Sequence, residues 1–400
     1  MKWLALSWRN VWRNSRRSLL AVSVMAVGAL ALLTAIGFIL ASFQGLREST
    51  IRGGLGHLQV GEGAAIIAPD ALVALERAAA ERPEVRFTLR RLVFEGLVST
   101  GAVTVAALGS GVDPIKESRL SASFAPVVRG AGLPLEDDGR EGFHAVLGVG
   151  LAAKLSVGPG DTVTLLTTTA DGVLNAIDAT VAGTFTTGIP DLDARQVMVG
   201  LAAARVLMNT HGASRLVVVL GEGDEDAVAA VAGGLRAAFP GHRVNTWRDL
   251  APFYAQVVTL YGTLFTVLGA IILLVVVLSA TNTMLMAVSE RTQEMGTMLA
   301  LGIDRARIRV NFALEGAMIG ALAGVVGLAC AAGLALAVNL AGIEMPPPPG
   351  RSMPYPLIIL IDPTAYAGVL AAMTLAGAAA AWMPTARLGR LRVVDALRRS

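Results

Sequence analysis

The chain has 400 residues, of which 54% are apolar and only 16% charged, with a mean hydropathy of +0.62. Such hydropathy excludes an ordinary soluble domain, while the length exceeds what four membrane helices require. The net charge of +3 does not point to nucleic acid, because the excess bases sit beside apolar spans where they face anionic lipid headgroups.

In chain order, residues 1–18 form a basic amphipathic segment, followed by an apolar span over Leu19–Phe43. Residues 44–256 are mostly polar, with 18 basic and 23 acidic residues over 44–255. Three more apolar spans follow, at Val257–Thr283, Phe312–Leu340 and Ala365–Trp382, separated by residues 284–311 and 341–364. A basic tail, 383–400, closes the chain. Each span has about the 20 apolar residues needed to cross a hydrocarbon core. The predicted fold is therefore a helical membrane protein with four transmembrane helices in a 1+3 arrangement and a large extracytoplasmic α+β domain between the first two. The first span is too long for a signal-peptide core and lacks a clear cleavage site, so it reads as an uncleaved anchor. The segments before span one, between spans two and three and after span four hold fourteen bases against Glu290, Glu294, Asp304 and Asp395. By the positive-inside rule, both termini and the 284–311 loop are cytoplasmic, with the large domain and the 341–364 loop outside. The single cysteine, Cys330, lies in span three, so no intrachain disulfide forms.

Within the large domain, residues 44–56 and 245–256 read as continuations of the flanking spans, either a stalk or a plain linker. Val103–Leu108, Thr162–Thr168, Ala179–Phe185 and Leu216–Leu220 carry strand signals. Asp70–Ala80 and Asp224–Phe239 have helical spacing with acidic starts. Gly148–Asp161 reads as a short helix, Leu151–Leu155, and a Gly-Pro-Gly-Asp turn rather than a phosphate cradle. A break between two lobes is expected near 130–145, where Gly, Pro and acidic residues cluster. The four histidines have no metal-ligand spacing, Asp191 and Asp193 read as a polar turn, and no catalytic motif or G-x-x-x-x-G-K-(S/T) loop occurs. An enzymatic role is not expected, and any energy must enter through a partner or an ion gradient.

Polar groups within spans are few. Glu315, read as one turn into span three, is explained by the dipole of a helix N-terminus rather than as a proton relay; Asn282 ends span two. Both are candidate membrane-path or structural residues, as are Pro346, Pro347, Pro348 and Pro349, whose stiff extended run forms either a rigid connector or a wall of the outer mouth. The 284–311 loop mixes Met284, Val288, Met295, Met298, Leu299 and Leu301 with Glu290, Arg291 and Glu294. That pattern predicts a short amphipathic helix ended by Gly302, lying in the interface or docked in a partner's groove.

Ser289-Glu-Arg-Thr-Gln-Glu-Met-Gly-Thr-Met-Leu-Ala-Leu-Gly302 resembles the cytoplasmic segment of FtsX-like, MacB/LolC/LolE-type ABC transporter permeases. Ala5-Leu-Ser-Trp-Arg-Asn-Val-Trp-Arg-Asn14, the Gly148–Asp161 run, Pro384-Thr-Ala-Arg-Leu388 and Val394-Asp-Ala-Leu397 fit the same family, and the proline loop leans to its LolC/LolE-like branch. The resemblance implies a bacterial inner-membrane permease pairing with a second copy or a paralogue and with two copies of a cytoplasmic ABC ATPase. ATP and Mg would be bound by that ATPase and no cofactor by this chain. It implies an ATPase-coupling role for Glu290, Arg291, Glu294, Met295, Gly296, Leu299 and Gly302, and mechanotransmission to the outer domain. The cargo expected is a lipoprotein, lipid or other amphiphile, with membrane lipid and a periplasmic or outer-membrane protein as further partners. The alternatives are a non-transporting signalling partner of a cell-wall hydrolase and a membrane-anchored binding protein.

Overall fold

The computed structural model describes residues 15–61, 65–121, 125–135, 142–221, 225–347 and 350–386. Residues 1–14 and 387–400, with the family-like stretches in the termini apart from residues 384–386, lie outside the described residues, as do Asp224, Pro348 and Pro349. The chain divides into two compact units, one of residues 1–44, 257–345 and 356–400, the other of residues 45–256 and 346–355. It opens with helix α1 (Ser15–Thr50), extended by a π-helical turn, Ile51–Leu55, that is broken at Gly54.

The second unit is built on strands β1 (Leu58–Val60), β2 (Val85–Ser99), β3 (Thr104–Val112), β4 (Val127–Gly130), β5 (Phe143–Gly148), β6 (Thr162–Thr168), β7 (Leu174–Phe185), β8 (Gln196–Gly200), β9 (Arg215–Leu220) and β10 (Val244–Thr246). Helices α2 (Pro69–Ala80), α3 (Pro114–Ser121), α4 (Val149–Leu155), α5 (Pro190–Asp193), α6 (Leu201–Met208), α7 (Glu225–Ala238) and α8 (Trp247–Leu250) pack around them. Strand β2 pairs with β3, β3 with β8, β8 with β5, β5 with β7, β7 with β6, and β6 again with β2. Those six strands close a ring, which removes exposed edges. Leu92, Phe94, Leu147, Leu165, Val181 and Val199 fill its core together with Leu151 of α4 and Leu207 of α6.

The first half of β2 leaves the ring and pairs with β9, which continues through β1 to β10. Helices α2 and α7 bury Leu72, Leu75, Val231 and Leu235 against this extension. There are thus two hydrophobic lobes, but the sequence break expected near 130–145 does not divide them. The ring lobe is inserted within the other, with β2 shared between both, so the boundary crosses a strand where composition carries no mark. The 245–256 segment also departs from expectation. Only residues 252–256 continue a span, in the helix that starts at Pro252; before it, Thr246 and Asp249 form a capping box, and Trp247 is buried beneath it. Arg47 and Arg248 approach the Trp247 ring at 5.9 and 5.5 Å, and Tyr254 meets it edge-on at 4.7 Å.

The first unit comprises α1 up to residue 44, α9 (Pro252–Glu290) from residue 257, α10 (Thr292–Ala300), α11 (Arg305–Ala341) and α12 (Pro363–Ala386). By length and composition, four of the described helices can cross a membrane: α1, α9, α11 and α12. Met25, Ala29 and Leu33 of α1, Val276 and Ala280 of α9, Ile319 and Ala323 of α11 and Met373 and Ala380 of α12 share one core. Small residues set the closest approach. A Cβ on Gly316 would lie 2.2 Å from the Gly377 carbonyl oxygen, and one on Gly320 would lie 2.2 Å from that of Met373. The spacing of Gly316, Gly320 and Gly324 thus presents a side-chain-free stripe on α11, which meets α12 backbone to backbone at Gly316 and Gly320 and receives the Leu370 side chain at Gly324.

Candidate functional site

The 284–311 segment folds as the predicted short helix, α10, between α9 and α11. Its end follows from local chemistry. The Ile303 N–H donates to the Met298 carbonyl and the Gly302 N–H to that of Leu299, the paired bonds of a Schellman motif. Gly302 has φ of 82°, a left-handed conformation that glycine adopts without a Cβ clash. Met298, Leu299 and Ile303 cover a small core of Val288, Met295, Ile308 and Phe312. This packing fixes which face of α10 turns inward.

The seven candidate coupling residues therefore separate into two groups. Arg291, Met295 and Gly296 are buried and Leu299 is half-buried, whereas Glu290, Glu294 and Gly302 are exposed together with Gln293, Thr297 and Ala300. Leu301, at the tip, is 82% exposed. The outward surface is thus a carboxylate-bearing helix edge ending in one bare leucine.

Glu315 requires a correction. Helix α11 begins at Arg305 rather than near Phe312, so Glu315 lies ten residues in, about 15 Å along the axis. The helix dipole acts within the first turn and does not account for a carboxylate there. Its partner is Arg291, whose Nη1 lies 3.0 Å from both Oε1 and Oε2 of Glu315. The two side chains are only 7% and 9% exposed. The sequence shows both residues but not their pairing; the N-cap position of Asp304 was the available signal for the earlier helix start. Asn282 is exposed on α9 and stands apart from this pair.

Pro346 and Pro347 belong to a segment, residues 346–355, that joins the second unit. There the Ser352 N–H donates to the Gly188 carbonyl at 2.8 Å and Met353 packs on Gly188. The turn that receives it is organised by Asp193. This residue is not the solvated polar turn that its sequence implied: it is 2% exposed. Its carboxylate accepts from the Thr186 hydroxyl at 2.6 Å and from the Thr187 hydroxyl and N–H at 2.7 and 2.8 Å. Asp191 is exposed.

Among the described residues no cluster of His, Cys, Asp or Glu could hold a metal ion. His57 is the histidine whose environment is most altered. Burial, with Arg47 and Arg52 nearby, lowers its pKa to about 4. Its Nδ1 accepts from the Leu220 N–H at 3.1 Å, so the neutral ring carries its proton on Nε2. This role is structural.

Two family models match the chain: the MacB-like periplasmic core domain over residues 18–237 and the FtsX-like permease C-terminal region over residues 266–393. An ABC transporter permease, YtrF, of Bacillus subtilis is 44% identical over 73 residues, covering 18% of this chain and 17% of the relative. A macrolide export ATP-binding/permease protein, MacB, of Nitrobacter winogradskyi is 30% identical over 136 residues, covering 34% and 19%. The match thus spans about a fifth of the length of these curated relatives. The crystal structure of the periplasmic region of MacB from Actinobacillus actinomycetemcomitans aligns with a TM-score of 0.37 at 12% identity, over 51% of this chain and 94% of that one.

Proposed function

We propose, since the chain belongs to the family of FtsX-like permeases with a MacB-like periplasmic core, that it is a permease subunit driven by a separate ABC ATPase docked on α10. The observation that carries this reading is the geometry of α10. One face is locked into a hydrophobic core, while Glu290, Glu294 and Leu301 are displayed outward between two membrane-spanning helices. A helix held rigidly and presented in this way is suited to a groove in a partner. In this reading α10 and both termini face the cytoplasm, where the positive-inside rule assigns the basic segments, and the large domain is periplasmic. Two copies, or this chain with a paralogue, pair with two ATPase subunits that bind ATP and Mg.

The cargo is an amphiphile such as a lipid or lipoprotein, moved by rearrangement of the large domain rather than through a hydrophilic channel. Two features support this. The described spans carry few ionisable groups, and Glu315 is already engaged by Arg291. An apolar groove of about 370 Å³ also lies between α1 and α9, lined by Leu32, Ile36, Ile39, Phe43, Phe265 and Ile272. Its surface chemistry suits an acyl chain better than a polar solute.

Exchanging Glu290 and Glu294 for Lys tests the docking assignment, because both side chains are exposed, Glu290 at the end of α9 and Glu294 in the first turn of α10. The double variant is expected to insert normally and to lose the ATPase subunit on mild-detergent purification. Undiminished association with normal hydrolysis would sink the assignment.

A further inference from the structure

The Arg291–Glu315 pair is set at a mechanical junction. Arg291 occupies the single residue between the end of α9 and the start of α10 and serves as the N-cap of α10. Glu315 belongs to α11, immediately before Gly316, the first glycine of the stripe that packs on α12. The pair therefore ties the α9–α10 corner to the point where α11 and α12 are in backbone contact.

Stability does not explain the pair. Desolvating two charges offsets most of their attraction, and hydrophobic replacement of a buried ion pair is often neutral. The Val288, Met295, Ile308 and Phe312 core already seats α10. Moreover, the Arg291 Nε is buried without a hydrogen-bond partner, a cost that a purely stabilising contact would not carry. What a charge pair adds to a greasy contact is direction. An apolar contact is non-directional, whereas the charge-assisted hydrogen bonds from the Arg291 Nη1 to the Glu315 carboxylate are directional.

We propose that Arg291 and Glu315 are positioning residues that clamp the corner of α10 to the α11–α12 pair, so that displacement of α10 moves both helices as one body. This rests on the reading of α10 as the ATPase-docking helix. Breaking the clamp would leave docking and hydrolysis in place and disconnect them from motion of the large domain.

The test uses the full permease reconstituted in nanodiscs with its ATPase, in a Cys330→Ala background carrying a spin label at the exposed Leu174→Cys. Label-to-label distance is measured without nucleotide and after trapping with ATP and vanadate. The decisive variant is Arg291→Met with Glu315→Leu, which leaves no unpaired charge. It is expected to fold, retain the ATPase within twofold of wild type, and lose the nucleotide-driven distance change. Glu315→Gln should behave likewise, and the charge exchange Arg291→Glu with Glu315→Arg should restore part of the change. A full distance change in the apolar double variant would overturn the proposal, as would loss of ATPase association in that variant. Failure of the docking reading is distinguished separately: the Glu290→Lys, Glu294→Lys variant would then keep the ATPase.

Discussion

The seam between α11 and α12 supports a quantitative prediction at Gly320. An alanine there would place its Cβ 2.2 Å from the Met373 carbonyl oxygen, 3.0 Å from that carbonyl carbon and 3.1 Å from the Thr374 Cα. All three are backbone atoms, so no side chain can swing away, and the helices must separate by about 1 Å to restore ordinary contact. Such overpacking costs about 1–3 kcal/mol, and a gap of that size forfeits a quarter to a half of each neighbouring contact. Against this, replacing glycine by alanine within a helix gains about 1 kcal/mol. The clash outweighs that gain over most of this range, leaving Gly320→Ala less stable by up to about 2 kcal/mol. Gly333→Ala, on the same helix with nothing within 4 Å of its Cβ, is the control and should be neutral or slightly stabilising. Unfolding of the detergent-solubilised full chain, followed by far-ultraviolet circular dichroism against increasing denaturing detergent, measures the difference. If the two alanine variants unfold together, the backbone seam does not hold the pair in the way described.

Other outcomes follow from the second unit. Asp193→Ala leaves three donors of Thr186 and Thr187 without their acceptor and should cost about 3 kcal/mol in thermal unfolding. Loosening of that turn should also speed trypsin cleavage after Arg351, in the segment resting on Gly188. The unfolded chain protonates His57 near pH 6.5 but the folded chain only near pH 4. The unfolded state thus binds more protons in this window, and stability is present above pH 6.5 and lost as pH falls towards 4. Allowing for solvent screening of a partly exposed ring, the loss is about 1–2 kcal/mol, and His57→Gln should remove that part of the pH dependence of Tm.

What the sequence disclosed depended on whether the signal was local. The four spans stand out by hydropathy, and β6 and the helix Asp70–Ala80 by short-range pattern and punctuation. Strand β2, the longest strand among the described residues, escaped. Arg86, Arg90, Arg91 and Glu95 interrupt its apolar run. Two of these charges are neutralised by residues far along the chain, Arg90 by Glu76 and Arg91 by Glu117. The partners lie 14 and 26 residues away, beyond the reach of a strand-length pattern. The same limitation hid Arg291–Glu315, whose members lie 24 residues apart and meet only because α11 starts two turns before the hydropathy rise. Asp193 was misread for a related reason, since a carboxylate beside Pro190 looks solvated until threonines from the preceding turn close over it.

The sharing of β2 between the two lobes has a consequence for how the domain is made. Strand β9, which completes the outer sheet by pairing with the first half of β2, emerges only after every strand of the ring has been synthesised. The earlier-made β1 must wait for β9 and β10 before it has a neighbour on either side. Loop-closure entropy is spent on these distant pairings before contacts reward it, so folding of this domain should be slow and its early strands exposed for longer than in a domain of consecutive hairpins. With the chain's single cysteine located in α11, no disulfide holds those ends together meanwhile. Refolding rate is thus a property sensitive to changes in β1 and β9.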